Sequence, residues 1–192
     1  MARVGVLAVQ GAFERHARVL EALGIEPVYV RSPADFTGLD GLILPGGEST
    51  VQWKLLERLE LEGPLLELAA AGRPVLATCA GLILVAARVS QPVQRGLGLV
   101  DVHVARNAWG RQIDSFEDVS EGGRPLVFIR APRILEVGPR VEVVDRYRGE
   151  PILVRQANVT CASFHPELTD DAGVHAMVFS GCLENRTERR AS

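Results

Sequence analysis

The stretch Val75-Leu76-Ala77-Thr78-Cys79-Ala80-Gly81-Leu82 decides the fold. Pro74 to Thr78 is a short apolar run and reads as a buried strand. Ala80 to Arg88 reads as the helix after it, so the chain turns a corner at Cys79. Small neighbours are what a tight strand-to-helix corner needs, and Ala77, Ala80 and Gly81 supply them. This is the sequence context of a nucleophile elbow. It lifts the sulfur out of the sheet and sets it near a helix N-terminus, where partial positive charge favours thiolate. A buried structural cysteine is an equal reading of the same eight residues.

The chain upstream repeats the strand-then-helix pattern. Arg3 to Val9, Pro27 to Val30 and Gly41 to Leu44 read as strands. Phe13, Ala17, Leu20 and Leu23 recur at helical spacing, with Gly24 as a stop. Further helices are expected from Val51 to Leu61 and from Pro64 to Ala71. Alternation of this kind implies βαβ units and a doubly wound, mostly parallel sheet. Beyond about Gly96 the runs Leu97 to Val104, Gln112 to Phe116, Leu126 to Ile129, Val141 to Val144, Ile152 to Val154 and Val159 to Ala162 are short strands. They are expected to extend the same sheet in antiparallel or mixed fashion. A closing helix is expected over Ala172 to Leu183, and Glu184 to Ser192 as a frayed tail. The whole, residues 1–192, reads as one α/β domain.

Composition narrows the function classes. The chain has 192 residues, 47% hydrophobic and 23% charged, with a net charge of −3. That balance gives no electrostatic case for nucleic acid or an anionic membrane surface. The opening apolar run is broken by Gly5, Gln10 and Gly11, too early for a membrane span or a signal peptide. Three cysteines, none in a C-x-x-C pair, argue against a disulfide framework and a structural zinc site. The expectation is a cytoplasmic protein without metal or cofactor.

A cysteine nucleophile needs a base, and the base needs an orienting acceptor. His165-Pro166-Glu167 follows the strand Val159 to Ala162. Pro166 pushes His165 toward extended geometry, and residues two apart in an extended chain point to the same side. Glu167 could then hold the imidazole while its other nitrogen faces Cys79. A strand end or helix cap is the competing reading of this tripeptide alone. His16 and His175 fall on helices and His103 in a strand, and all three read as structural or surface residues. Pro45-Gly46-Gly47-Glu48-Ser49 ends a strand, at the edge of an open α/β sheet where ligands bind. Its glycines can turn peptide N–H groups toward an anion, unless the segment is only a glycine turn with Ser as a helix cap.

Taken together, these residues resemble the triad (class I) glutamine amidotransferases. The likeness reaches the family of glutaminase subunits of pyridoxal 5'-phosphate synthase. It is carried by Val9-Gln10-Gly11-Ala12, by Gly41-Leu-Ile-Leu-Pro-Gly-Gly-Glu-Ser-Thr50 and by Thr78-Cys-Ala-Gly-Leu-Ile83. Arg106-Asn107, Gly110-Arg-Gln-Ile-Asp-Ser-Phe-Glu117, Phe128-Ile-Arg-Ala-Pro132 and Ser163-Phe-His-Pro-Glu-Leu-Thr169 complete it. The resemblance spans the chain to about Leu183. It implies Cys79 as nucleophile, His165 as base and Glu167 as its orienter, with Gly47 and Ala80 as the oxyanion hole. Gly46, Gly47, Glu48, Ser49, Arg106, Ile129 and Arg130 would hold L-glutamine, with Glu48 and Arg106 facing its two charges. Gln10 would couple the site to a partner, a (β/α)₈ synthase subunit in a hetero-oligomeric complex that takes up the ammonia. The Gly46-Gly47 peptide would be suited to a rotation switched by that partner, with positive φ at Gly47.

Two departures from the family pattern stand out. Ala77 replaces the usual glycine of the elbow, and Glu14-Arg15-His16 replaces a Glu directly before His. Other readings are a glutaminase serving another pathway, a non-enzymatic regulator with an incidental triad, and a thiol-dependent hydrolase or stress protein of similar fold.

Overall fold

The computed structural model describes residues 1–106 and 115–191, with side chains to Leu183. Asn107, the part 110–114 of one quoted motif, and the start of the strand expected from Gln112 lie outside the described residues, as do the side chains beyond Leu183.

The first half runs β1 (Arg3–Leu7), α1 (Phe13–Ala22), β2 (Glu26–Val30), β3 (Gly41–Leu44), α2 (Ser49–Arg58), α3 (Glu62–Ala70), β4 (Val75–Thr78) and α4 (Ala80–Val85). The second half holds the strands β5 (Ala86–Ser90), β6 (Val100–Ala105), β7 (Phe116–Val119), β8 (Pro125–Phe128) and β9 (Arg133–Val137). After them come β10 (Glu142–Tyr147), β11 (Glu150–Gln156), β12 (Val159–Ala162) and the closing helix α5 (Gly173–Ala191).

Seven strands form the main sheet in the order β10-β11-β12-β4-β3-β1-β2. The five from β12 to β2 are parallel, while β11 and β10 add on antiparallel. Residues of β3, β4 and β12 are buried on both faces, as parallel strands covered by helices must be. Side-chain alternation divides them between two cores. Leu42, Leu44, Val75, Ala77, Val159 and Cys161 join one core with Trp53, Leu56, Leu65 and Leu82, so α2, α3 and α4 cover that face. Val4, Val6, Ile43, Leu76 and Ala162 join the other with Leu20, Val174 and Phe179, so α1 and α5 cover the opposite face.

The expected extension of the sheet is present in β10 to β12, but the other late strands do not belong to it. β5, β6 and β9 form a separate three-stranded sheet and β7 and β8 a hairpin. The reason lies in which core each one feeds. Val100, Val102, Val104 and Ile134 pack on the α2–α4 side, whereas Leu126 and Phe128 pack on the α1–α5 side. β5 occupies residues assigned to the end of the helix after Cys79, so α4 stops at Val85. β9 was not anticipated. Helix α5 runs to Ala191, past the Leu183 at which it was expected to end.

The strand order reverses at β1, whose neighbours are β2 and β3. At such a switch point the loops leaving the carboxyl ends diverge and open a crevice. The segments after β1, β3, β4 and β12 carry Gln10, Gly46-Gly47, Cys79 and His165.

Candidate active site

Cys79 is held in a strained backbone conformation, φ 48 and ψ −100. A non-glycine residue with positive φ is sterically costly and persists only where its surroundings enforce it. Here the enforcement is visible on both sides. The Cys79 N–H donates to the Ala162 carbonyl at 2.9 Å, continuing the β4–β12 ladder, while its carbonyl accepts from Ile83 N at 3.3 Å in the first turn of α4. Gly81 is needed because a Cβ there would press against the Leu44 backbone of β3. The expected elbow is therefore present. Ala77 fits it, being fully buried in the α2–α4 core.

His165 Nδ1 lies 2.7 Å from Glu167 Oε1, and both residues are buried. Burial alone would lower the imidazole pKa. Hydrogen bonding and charge from Cys79 and Glu167 outweigh it and raise the value to about 10. Glu167 shows the matching balance: burial works against its charge, yet His16 and His165 hold its carboxyl below the ordinary value. The geometry differs from expectation in one respect. His165, at φ −108 and ψ 83, is extended enough to precede a proline, but Pro166–Leu168 form a 3₁₀ turn. Glu167 is folded back onto His165 by that turn rather than by strand alternation.

Gln10, Gly47, Glu48, Ser49, Cys79, Ile83, Arg106, Ile129, Arg130 and His165 line one pocket. Of the sequence-derived candidates, only Gly46, Ala80 and Glu167 are not among its lining residues. Ala80 opens α4 beside Cys79. A Cβ on Gly46 would meet the His165 ring, with Nδ1 at 2.9 Å. Glu167 stands behind that ring. Cys79 Sγ is 4.0 Å from the Ile129 carbonyl, and Arg130 next to it has φ 46. These two residues leave β8, and Arg106 leaves β6, so the two small sheets supply one wall of the pocket.

Arg106 Nη2 is 3.2 Å from Glu48 Oε1. Glu48 also caps α2, its Oε2 accepting from Val51 N at 3.3 Å. Glu48 is thus the cap that the sequence reading offered to Ser49. Ser49 is the first helical residue, and its Oγ donates to Gln94 Oε1 at 3.0 Å. The Glu48–Arg106 pair presents one acid and one base side by side, as a zwitterionic amino acid requires.

The glycine loop corrects a second expectation. Neither Gly46 nor Gly47 has positive φ. Gly47 is required by close approach instead: a Cβ would collide with Gln10 Oε1 and come within 2.9 Å of Gln52 Nε2. The positive φ belongs to Gly11, at 104, whose missing Cβ makes room for the Gly46 carbonyl. Gln10 Oε1 accepts from Glu48 N at 2.8 Å. Gln52 Nε2 donates to the carbonyls of Gln10 and Pro45 at 3.0 and 3.1 Å.

Sequence reasoning missed Gln52 and Ile83, and it set His16 and His175 aside. Both histidines are buried, with His16 Nδ1 2.8 Å from His175 Nε2 and His16 Nε2 3.4 Å from Glu167 Oε2. A signal existed. Phe13, His16, Ala17 and Leu20 stand at i, i+3, i+4 and i+7, so His16 completes the apolar stripe of α1 and had to face inward.

A doubly wound sheet with a cysteine at a strained corner, backed by an imidazole and a carboxylate, has the architecture of the class I glutamine amidotransferases. The chain belongs to the SNO glutamine amidotransferase family, whose model matches residues 6–184. It is 45% identical over 179 residues to the "Pyridoxal 5'-phosphate synthase subunit PdxT" of Thermotoga maritima, covering 90% of this chain and 95% of that protein. The protein of the same name from Shouchella clausii is 47% identical over 178 residues, with 90% and 91% covered. A solved structure described as a glutamine amidotransferase superimposes with a TM-score of 0.88 at 42% identity, covering 93% of this chain and 98% of that one.

Proposed function

We propose that this chain is a single-domain glutaminase that hydrolyses L-glutamine to L-glutamate and ammonia and passes the ammonia to a pyridoxal 5'-phosphate synthase subunit. The observation that carries the reading is the strained Cys79 corner facing His165, with Glu167 at 2.7 Å behind it. The names of the relatives supply the pathway.

In this reading Glu48 and Arg106 exchange their mutual pairing for the ammonium and carboxylate of glutamine. Gly46, Ser49, Ile129 and Arg130 shape the rest of the subsite. Cys79 Sγ attacks the side-chain carboxamide carbon, and the negative charge moves to its oxygen. The N–H groups of Gly47 and Ala80 stabilise that oxyanion; one such donor contributes about 10²–10³ in rate. His165 delivers its proton to the departing nitrogen, leaving a γ-glutamyl thioester. The same imidazole then takes a proton from water, which attacks the thioester and releases glutamate and the free thiol. A histidine held protonated beside the sulfur suits the first step, and Glu167 keeps it in place for both.

The reading includes a (β/α)₈ synthase partner in a hetero-oligomeric complex, coupled through Gln10, and a cytoplasmic location. Three unpaired cysteines fit a reducing compartment. Among the described residues no helix is long and apolar enough to cross a membrane. The test is glutamate release from glutamine by the full chain, with and without the synthase subunit. Cysteine-dependent release that rises with the partner is expected; release unaffected by Cys79→Ala would overturn the assignment.

A further inference from the structure

Glu167 carries a polar atom that the triad does not use. Oε1 holds His165, but Oε2 is sealed from solvent and makes no hydrogen bond among the described residues. The Glu167 side chain has no exposed surface at all. A buried carboxylate oxygen left alone is costly, and burial favours protonating it. His16 Nε2 on α1 lies 3.4 Å from it and is hydrogen-bonded to Thr78 Oγ1 at 3.2 Å. Thr78 is the residue before the nucleophile. Behind His16 stands His175 of α5, its Nε2 2.8 Å from His16 Nδ1.

The arrangement selects one set of protons. If His16 carried its hydrogen on Nδ1, its Nε2 lone pair would face the Glu167 carboxylate and repel it. The hydrogen therefore belongs on Nε2, where it bonds to Thr78 Oγ1 and sets the positive end of the N–H dipole beside Glu167 Oε2. His16 Nδ1 then accepts, so His175 must donate from Nε2. That leaves His175 Nδ1 as a bare acceptor, and it is a buried ring nitrogen without a partner among the described residues. Burial holds both rings neutral, lowering His16 and pushing His175 down to about 3. His16 therefore acts on Glu167 through an N–H dipole rather than a full charge.

We propose that His16 is a positioning residue for glutamine hydrolysis, holding Glu167 ionised through the N–H dipole it sets beside the second carboxylate oxygen, with His175 fixing the His16 tautomer. The line runs His175, His16, Glu167, His165, Cys79, from the α1–α5 side of the sheet to the pocket. The titratable groups facing Glu167 are His165 on its own turn and His16 from α1, with His175 of α5 behind. None but His165 lines the pocket, so His16 touches no substrate. This inference rests on the glutaminase reading above.

The test is steady-state glutamate release across pH by the full chain with its synthase partner, in wild type, His16→Phe, His16→Gln, Glu167→Gln and His16→Phe/Glu167→Gln. His16→Phe should lower kcat about 10–100-fold, by analogy with the outer-shell partners that orient metal ligands. KM for glutamine should stay within about twofold, since an uncontacted substrate binds uniformly. The acid limb of the kcat profile should move to higher pH, because Glu167 protonates more readily. His16→Gln offers an amide donor and should recover much of the loss. In the Glu167→Gln background His16→Phe should cost almost nothing more, as expected for groups acting in series. An unshifted pH profile, a loss that adds fully onto Glu167→Gln, or a rise in KM alone would overturn the proposal. If His16→Phe does not fold, His175→Leu, which frees the tautomer, must shift the acid limb the same way, and an unmoved limb overturns it. Wild-type chain without Cys79-dependent turnover would instead refute the glutaminase reading itself.

Discussion

The Gly46 carbonyl accepts a hydrogen bond from the Ala12 N–H at 3.0 Å. A trans peptide is planar, so this bond fixes the Gly46-Gly47 unit and turns the Gly47 N–H to the side away from Ala12. Rotating the peptide would break the bond and present a carbonyl where the N–H now points. Gly47→Ala should fail for steric reasons. The new methyl meets Gln10 Oε1 and Gln52 Nε2, and it lies 3.1 Å from Gly11 Cα. The loop must shift, and the proposed oxyanion donor shifts with it. A kcat loss of about 10²–10³ is expected. Steady-state glutamate release with saturating synthase measures it; wild-type turnover would show that the Gly47 N–H is not an oxyanion donor.

Cys79→Ala should abolish glutaminase activity and leave the fold intact, since the site accepts a small side chain. A complex carrying this variant should still make pyridoxal phosphate from an ammonium salt. Cys161→Ala should keep most activity. Its sulfur is buried in the sheet core, and burial pushes its thiol far above the ordinary range, where it is no nucleophile. Comparable losses from the two substitutions would remove Cys79 from its role.

Glu167→Gln keeps the shape of the side chain but cannot stabilise an imidazolium in the same way. The analogous change in a serine triad costs about 10⁴ in kcat, so a loss of several tens-fold or more is expected here. The raised pKa of His165 should fall with it, bringing the alkaline limb of the rate profile to lower pH. A profile identical to wild type would exclude Glu167 from orienting the base.

Arg106→Ala should raise KM for glutamine by about tenfold or more, the worth of one charge-assisted hydrogen bond to a carboxylate, with a smaller effect on kcat. Glu48→Ala should do the same and also destabilise the fold by about 1 kcal/mol, because Glu48 caps α2. Initial rates against glutamine concentration and urea unfolding separate the two effects. An Arg106→Ala variant with unchanged KM would place the substrate carboxylate elsewhere.

Acid should unfold the chain from near neutrality downward. His175 titrates at about 3 when folded against 6.5 ordinarily, and His16 is lowered too. Between those values the unfolded chain binds protons that the folded chain refuses, so stability falls as pH falls. The slope is at most about 1.4 kcal/mol per pH unit for each histidine. Glu167, lowered from 4.5, contributes stability above that value that is lost as pH falls through its folded pKa. His165, raised to about 10, contributes stability below 6.5 that is lost as pH rises toward 10. His175→Phe should therefore lose less stability than wild type between about pH 7 and pH 5. Equal losses in urea unfolding would show that His175 titrates normally.

The amino-acid sequence by itself determined the parallel half of the sheet, the corner at Cys79 and the identity of the proposed triad. Those are local facts. Buried strands such as Gly41–Leu44 and Val159–Ala162 are short apolar runs bounded by turns, and the elbow is written in small residues at adjacent positions. The late strands were visible individually but not in their grouping, because pairing depends on which core a side chain reaches. That is why β5, β6 and β9 left the main sheet and carried Arg106 to the pocket. Tertiary structure alone decided that Glu167 turns back through a 3₁₀ turn, that Gly47 is glycine for lack of room rather than for its φ, and that Glu48 both caps a helix and pairs with Arg106. It alone brought His16 and His175, 159 positions apart, into one buried line behind Glu167. No local pattern records such a meeting: each histidine completes the apolar stripe of its own helix, and only the packing of both helices on one face of the sheet sets them beside the same carboxylate.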